Sequence, residues 1–344
     1  MSADNDHEAR YEVREVIGKG AFGEVNLVVE KASRQRFVLK RIKMARQSEW
    51  QRKATRLEIE IVSRLRHPFV MPYKEHWTHH GHTINVVYGY CEKGDLTSAI
   101  KKQRGKPFPE ETLRLWLAEL LLAVDYMRRQ NVLHRDLKTQ NILLTGDGDV
   151  QIGDFGLSTG TLNDYSLVGT PHFMSPELLS NNKYSFETDM SLGVVMYELT
   201  SLKPPFNAFN LSGLVAKIKR AALPPIPAVY SADWSALLKS MLRKDPGRRA
   251  AALEVLALPS MQAALQTARQ RAALICPDIV LPDVAVETHQ TATQTATQAA
   301  AQLSEGGAAG SSSGGSSDTA PMPLPGDRTM SMTTEDSELS VPSG

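Results

Sequence analysis

Ile17-Gly18-Lys19-Gly20-Ala21-Phe22-Gly23-Glu24-Val25-Asn26-Leu27-Val28-Val29 spaces its glycines as Gly-x-Gly-x-x-Gly, and the residues after the last glycine decide the fold. Glycine lets a backbone approach phosphate closely, so the pattern alone fits two architectures. A dinucleotide-binding turn needs a helix straight after the glycines and an acidic residue further on. Here residues 25–29 are β-prone, so we read a hairpin lid over a phosphate chain instead. The next strand-like run, Val38-Leu39-Lys40, ends in a lysine suited to the α- and β-phosphates of a nucleotide.

Two further stretches specify the chemistry: His134-Arg135-Asp136-Leu137-Lys138-Thr139-Gln140-Asn141 and Asp154-Phe155-Gly156. Phosphoryl transfer requires a hydroxyl held in line with the γ-phosphate while negative charge is neutralised. Asp136 offers a proton-accepting carboxylate and Lys138 an ammonium facing the transferring group. Asn141 and Asp154 offer the hard oxygen ligands that Mg²⁺ prefers when it also keeps water and phosphate oxygens. Alone, Asp-Phe-Gly is a weak signal; beside the first stretch it is a metal-binding turn.

Together these motifs resemble the protein kinase family, and the Asp136-x-Lys138 spacing resembles its serine/threonine-directed members. Val38-Leu39-Lys40-Arg41-Ile42, Gly89-Tyr90-Cys91-Glu92-Lys93-Gly94-Asp95-Leu96, Met174-Ser175-Pro176-Glu177 and Ser240-Met241-Leu242-Arg243-Lys244-Asp245-Pro246 look like NIMA-related kinases. The Gly89-Tyr90-Cys91 linker is most similar to plant and green-algal members. The likeness covers residues 11–261 and implies an α+β, bilobal protein kinase fold. It sets a small β-rich N-lobe at residues 11–90, a hinge at 90–95 and a larger helical C-lobe at 96–261, behind a polar extension at residues 1–10.

The resemblance also implies roles. The distance from His67-Pro68 selects Glu58, rather than Glu60, as the ion-pair partner of Lys40. Ile17, Gly18, Lys19, Gly20, Gly23 and Val25 would cover the nucleotide, with Val25 and Val38 above the adenine ring and Leu143 below. Tyr88 would guard the back of that pocket, and Tyr90 and Cys91 would lend backbone groups to adenine. Thr170 would face Asp136 and the substrate hydroxyl. Ser166 would carry an activating phosphate paired with Arg135, with Thr161 and Tyr165 as competitors for that role. Glu177 would pair with Arg249, and Val62, Tyr73, His134 and Phe155 would stack across the lobes. The implied activity is ATP- and Mg²⁺-dependent phosphorylation of protein serine and threonine, in mitosis, microtubule organisation or cilia, with a cytoplasmic location.

One departure stands out. The family's Asp-x-Trp-Ser-x-Gly appears as Asp189-Met190-Ser191-Leu192-Gly193, one residue short and without the tryptophan. Losing one helical residue rotates the preceding part of a helix by about 100°. Either the helix start shifts to keep Asp189 on the catalytic loop, or Thr188 takes part of its place. This motivates a rival expectation, a nucleotide-binding pseudokinase acting as a scaffold.

Bulk properties agree with a two-lobed domain plus an extension: 344 residues, 42% hydrophobic, net charge +1. No apolar run is long enough for a membrane span and the first ten residues are polar, so no membrane association is expected. Cys91 and Cys276 form neither a disulfide framework nor a metal motif, which suits a reducing compartment. The excess of positive charge in residues 1–261 is moderate and lacks a basic stripe with stacking aromatics, so no nucleic acid partner is expected. Helical periodicity predicts helices near 49–66, 110–129, 186–201, 211–219, 231–243 and 250–257. Residues 262–344 hold 3 Lys/Arg against 9 Asp/Glu and run into Thr/Gln/Ala-rich and Gly/Ser-rich tracts, predicting a low-complexity, mostly disordered acidic tail. No heptad run supports a coiled coil.

Overall fold

The computed structural model describes residues 7, 9–20, 23–155, 170–181 and 190–284. Antiparallel pairing begins at once: β1 (Tyr11–Gly20) meets β2 (Gly23–Glu30), which meets β3 (Arg36–Lys43). A helix α1 (Glu49–Arg64) intervenes before β4 (Tyr73–His79) and β5 (Thr83–Gly89), and the sheet order is β1-β2-β3-β5-β4. The glycine-rich stretch is therefore a hairpin and not a turn into a helix. Gly23 has a second reason to be glycine: a Cβ there would lie 1.7 Å from the Arg41 carbonyl oxygen across the strand pair.

Helix α1 opens with a capping box, Ser48 accepting from the Gln51 amide at 3.3 Å and Gln51 Oε1 accepting from the Ser48 amide at 2.8 Å. It ends at Arg64, two residues short of the expected 66, because Pro68 biases the approaching chain toward extended backbone and Leu65 already has ψ 130°. The chain leaving α1 then runs against the other lobe. The Arg66 amide donates to the Tyr126 hydroxyl at 2.8 Å, and Gln151 Nε2 donates to the Pro68 carbonyl at 3.0 Å.

The second part starts with β6 (Gly94–Asp95), α2 (Leu96–Gln103) and α3 (Glu110–Arg129), followed by β7 (Ile142–Leu144) and β8 (Val150–Ile152). The apolar stripe of α3 is core: Leu113, Trp116, Leu117, Leu120, Leu121 and Met127 are buried, with Val124 packed beside them. Later helices are α4 (Leu178–Asn181), α5 (Met190–Ser201), α6 (Leu211–Arg220), α7 (Ala232–Met241) and α8 (Ala252–Ala257). Helix α5 is apolar around most of its circumference, as a helix at the centre of a lobe must be. The departure at Asp189 and Thr188 lies outside the described residues.

One boundary moves. Residues 262–284, expected in the disordered tail, begin with a further helix, α9 (Gln262–Ile275), packed along α3. Leu265, Ala268 and Ala272 recur on one face and are buried, and Ile279, Leu281 and Val284 pack on the core behind them. The alanines that suggest low complexity let two helix backbones approach closely. Residues 285–344 lie outside the described residues. At the other end, His7 stacks on Trp77 with ring centroids 5.2 Å apart, so the polar extension also touches the sheet.

Candidate functional site

β8 is three residues long, yet it sets the geometry between the lobes. Its Ile152 amide donates to the Phe69 carbonyl at 3.0 Å, its Ile152 carbonyl accepts from Met71 at 2.8 Å, and the Gly153 amide donates to the Asn141 carbonyl at 2.8 Å. The chain then turns through a left-handed Asp154, φ +57°. A non-glycine residue there is uncommon and is held by its surroundings. Arg135 shares this backbone state at φ +64°.

Between the sheet and the C-lobe lies a cavity of about 510 Å³, a size suited to a small cofactor or substrate. Of the residues expected around a nucleotide, Ile17, Gly18, Val25, Val38, Lys40, Tyr88, Tyr90, Cys91 and Leu143 line it, together with Glu58, Asn141 and Asp154. Lys19 and Gly23 are not among its lining residues; Lys19 pairs with Glu24 and Gly20 with Gly23 at the end of the β1–β2 pair. A Cβ at Gly18 would meet only Val25, at an ordinary 3.5 Å, so the space its glycine leaves belongs to the cavity rather than to a neighbouring strand.

The cavity's charged end is organised by Lys40. Its Nζ lies 2.9 Å from Glu58 Oε1 and 3.2 Å from Asp154 Oδ1. Burial alone would lower the lysine's pKa, but the two carboxylates outweigh it and hold it above the ordinary lysine range. Asp154 moves the other way: burial favours its neutral form, and Lys40 overrides this to keep the carboxylate ionised.

Opposite stands a hydrogen-bonded group centred on Asp136. Its Oδ2 accepts from Lys138 Nζ at 2.6 Å and from the Asn141 amide nitrogen at 3.1 Å. Its Oδ1 accepts from the Thr170 hydroxyl at 2.8 Å and the Thr170 backbone amide at 3.0 Å. Lys138 also donates to the Thr170 hydroxyl at 2.9 Å. Since Asn141 Nδ2 is committed to Asp136, including its carbonyl at 2.9 Å, the amide oxygen is the group left to face a cation.

His134 ties the two halves together. Burial depresses its pKa and keeps the ring neutral. Nε2 donates to the Gly153 carbonyl at 2.9 Å, which leaves Nδ1 to accept from the Asp136 amide at 3.4 Å. Its ring meets Phe155 edge-on at 4.9 Å, and Val62 and Phe155 are buried in the same core against which Tyr73 packs. Glu177 and Arg249 form a two-pronged pair, Nη1 to Oε1 at 2.6 Å and Nη2 to Oε2 at 2.9 Å. Ser166, Thr161 and Tyr165 lie outside the described residues, so the expected phosphate site is not placed beside Arg135.

At the rear, Tyr88 is buried and its ring lies edge-on to Tyr73 with centroids 6.5 Å apart. The Cys91 thiol donates to Gln151 Oε1 at 3.3 Å, and burial, with Glu92 nearby, pushes its pKa up to about 12. Several lining residues have no counterpart among those expected from sequence: Met71, Glu92, Gly94, Asp95, Gln140 and Gly153. Asp95 carries a usable signal, since it precedes a helical run and caps α2 by accepting from the Ser98 amide at 2.7 Å. A side chain at Gly153 would meet Met71 at 3.0 Å and Leu143 at 3.3 Å, so glycine is what keeps the turn into Asp154 close to the cavity floor.

Residues 11–261 match the protein kinase domain model. Among known proteins, the chain is 44% identical over 257 residues to serine/threonine-protein kinase Nek3 of Oryza sativa subsp. japonica, covering 74% of this chain and 44% of that protein. It is 41% identical over 256 residues to Nek6 of the same plant, covering 74% and 48%. Against Nek4 of Mus musculus it is 36% identical over 257 residues, covering 73% and 32%. The chain thus spans less than half the length of these relatives.

Proposed function

The chain belongs to the protein kinase family, in its NIMA-related branch, and from that premise we propose that it transfers the γ-phosphoryl group of MgATP to serine and threonine hydroxyls of proteins. The observation that carries this reading is the convergence of Lys40, Glu58, Asn141 and Asp154 on one cavity, with Asp136 bonded directly to Asn141.

The residues fit the group they would hold. Asn141, through its amide oxygen, and Asp154, through its carboxylate, make a two-residue set of the kind Mg²⁺ accepts when phosphates and water complete its shell. Held there, the ion would supply positive charge against the phosphates. Lys40, steadied by Glu58, orients the α- and β-phosphates. Asp136 holds the acceptor hydroxyl and takes up its proton; the Thr170 hydroxyl already bonded to Oδ1 is the same chemical group. Lys138, within 2.6 Å of Asp136, places its charge where the transferring group loses its bond to ADP.

What supports an active enzyme over a scaffold is that Lys40, Glu58, Asn141 and Asp154 line one cavity and that Asp136 is hydrogen-bonded to both Asn141 and Lys138. The reading extends to protein substrates and to work on the cytoskeleton or cell cycle in the cytoplasm, which rest on family membership alone. The test is incubation of the full chain with MgATP and matched peptides bearing serine, threonine or tyrosine. Transfer to serine and threonine above tyrosine supports the proposal; nucleotide binding without transfer overturns it in favour of a scaffold.

A further inference from the structure

Asp149 and Glu119 bring two carboxylates together away from the cavity. Glu119, in the middle of α3, is wholly buried, and Asp149, just before β8, is nearly so. Glu119 Oε2 accepts from the Val150 amide at 2.9 Å, the first residue of β8. The turn leading into that strand is gripped further by Trp116, whose Nε1 donates to the Gly148 carbonyl at 2.9 Å. Like charges in an apolar setting need a cation or a shared proton. The cation comes from outside the matched domain: Arg271 on α9 hydrogen-bonds Asp149, and its Nη1 lies 3.8 Å from Glu119 Oε1. Burial pushes Glu119 up to about 9, so at neutral pH it keeps its proton and the guanidinium serves Asp149.

The element that depends on this contact is short. β8 has three residues, paired antiparallel with β7 over their whole length, and Gly153 and Asp154 come after it without a break, so contacts at its two ends bear directly on where Asp154 sits. The far end is bridged to the segment after α1; the near end is the Asp149–Val150 step. Helix α9 itself rests on small side chains, Ala268 and Ala272, and closes with Arg269 donating to the Pro282 carbonyl at 2.7 Å.

We propose that Arg271 is a positioning residue for the phosphoryl-transfer site: from a helix beyond the matched domain, it anchors the β7–β8 turn and so the strand that delivers Asp154. The kinetic part rests on the kinase reading; the structural part does not.

The experiment uses the full chain with Arg271→Met, Arg271→Lys, and Arg271→Met combined with Asp149→Asn, which removes the cation together with its anion. Amide hydrogen exchange over residues 150–154 is read beside KM for MgATP and kcat. Arg271→Met should speed exchange at those amides and raise KM for MgATP about tenfold, within what a small misplacement caused by a mutation far from the chemistry can cost, with a smaller change in kcat. Arg271→Lys and the double variant should recover most of both. Wild-type exchange and KM in Arg271→Met would overturn the proposal, as would faster exchange with unchanged KM in an enzyme that turns over. If Arg271→Met does not accumulate as folded protein, the double variant decides: protection of residues 150–154 supports the charge pairing, and its loss overturns it. If no variant, wild type included, transfers phosphate, the kinase reading fails by itself and exchange still judges the anchor.

Discussion

Lys40 stands between two carboxylates, 2.9 Å from Glu58 and 3.2 Å from Asp154, and thereby joins α1 of the N-lobe to the turn after β8 in the C-lobe. Glu58 is buried, and Lys40 is its hydrogen-bonded partner. Replacing Lys40 by Met should lower kcat about 100-fold or more, the range for a lost electrostatic donor at developing charge. Adding Glu58→Gln should make matters little worse, because the two act as a unit. Steady-state kinetics of the single and double variants checks this; additive losses would mean independent roles.

Glu119 makes stability depend on pH. Its folded pKa, raised by burial to about 9, exceeds that of an exposed carboxylate, so the fold retains a proton the unfolded chain releases. Stability should therefore fall as pH rises from the ordinary carboxylate range toward about 9, and level off above. Glu119→Gln keeps an acceptor for Val150 and a donor for Asp149 without a titrating proton. Its unfolding free energy, measured in denaturant, should gain on wild type steadily from pH 5 to pH 9, by on the order of 1 kcal/mol or more at the upper end. A constant difference across that range would count against the buried protonated acid.

Arg249 holds Glu177 by two parallel bonds, with its side chain almost fully buried. Breaking a buried pair leaves an uncompensated charge, at about 3 kcal/mol or more. Arg249→Ala should lower the unfolding free energy measured in denaturant by that amount. Lysine in its place should restore only part, since it cannot make both bonds.

The Cys91 thiol should be inert although it borders the cavity. Its raised pKa and its bond to Gln151 leave almost no thiolate at neutral pH. A maleimide reagent at pH 7 should modify Cys276 in the native protein and reach Cys91 only after unfolding, as peptide mapping would show. Equal labelling of both would contradict the burial of Cys91.

Sequence makes the proposed chemistry legible because the two stretches around Asp136 and Asp154 hold their residues at fixed spacings that one reaction would set. Asp136, Lys138, Asn141 and Asp154 have to converge, and Lys40 with Glu58 comes from the strand and helix that carry them. Less legible are contacts that depend on shape. Gly23 reads as a phosphate-facing glycine, yet the approach of β2 to β3 already demands it. Glu92 and Gln140 border the cavity from short segments whose direction no periodicity reveals. Helix α9 escapes detection because alanine registers weakly on a hydrophobic count while packing a close helix pair well. Arg271 meeting Asp149 joins residues from an Ala-rich helix and a turn, and no local pattern links them.

The most direct test of the central claim is the rate of γ-phosphate transfer from MgATP to a serine- or threonine-bearing peptide by the full chain beside its Asp136→Asn variant. That substitution keeps the size of the side chain and removes the proton acceptor bonded to Lys138 and Thr170. We predict measurable turnover in the wild type, a loss of about 100- to 10,000-fold in the variant, and equal affinity for the nucleotide in both. Equal turnover by the two proteins would contradict the account.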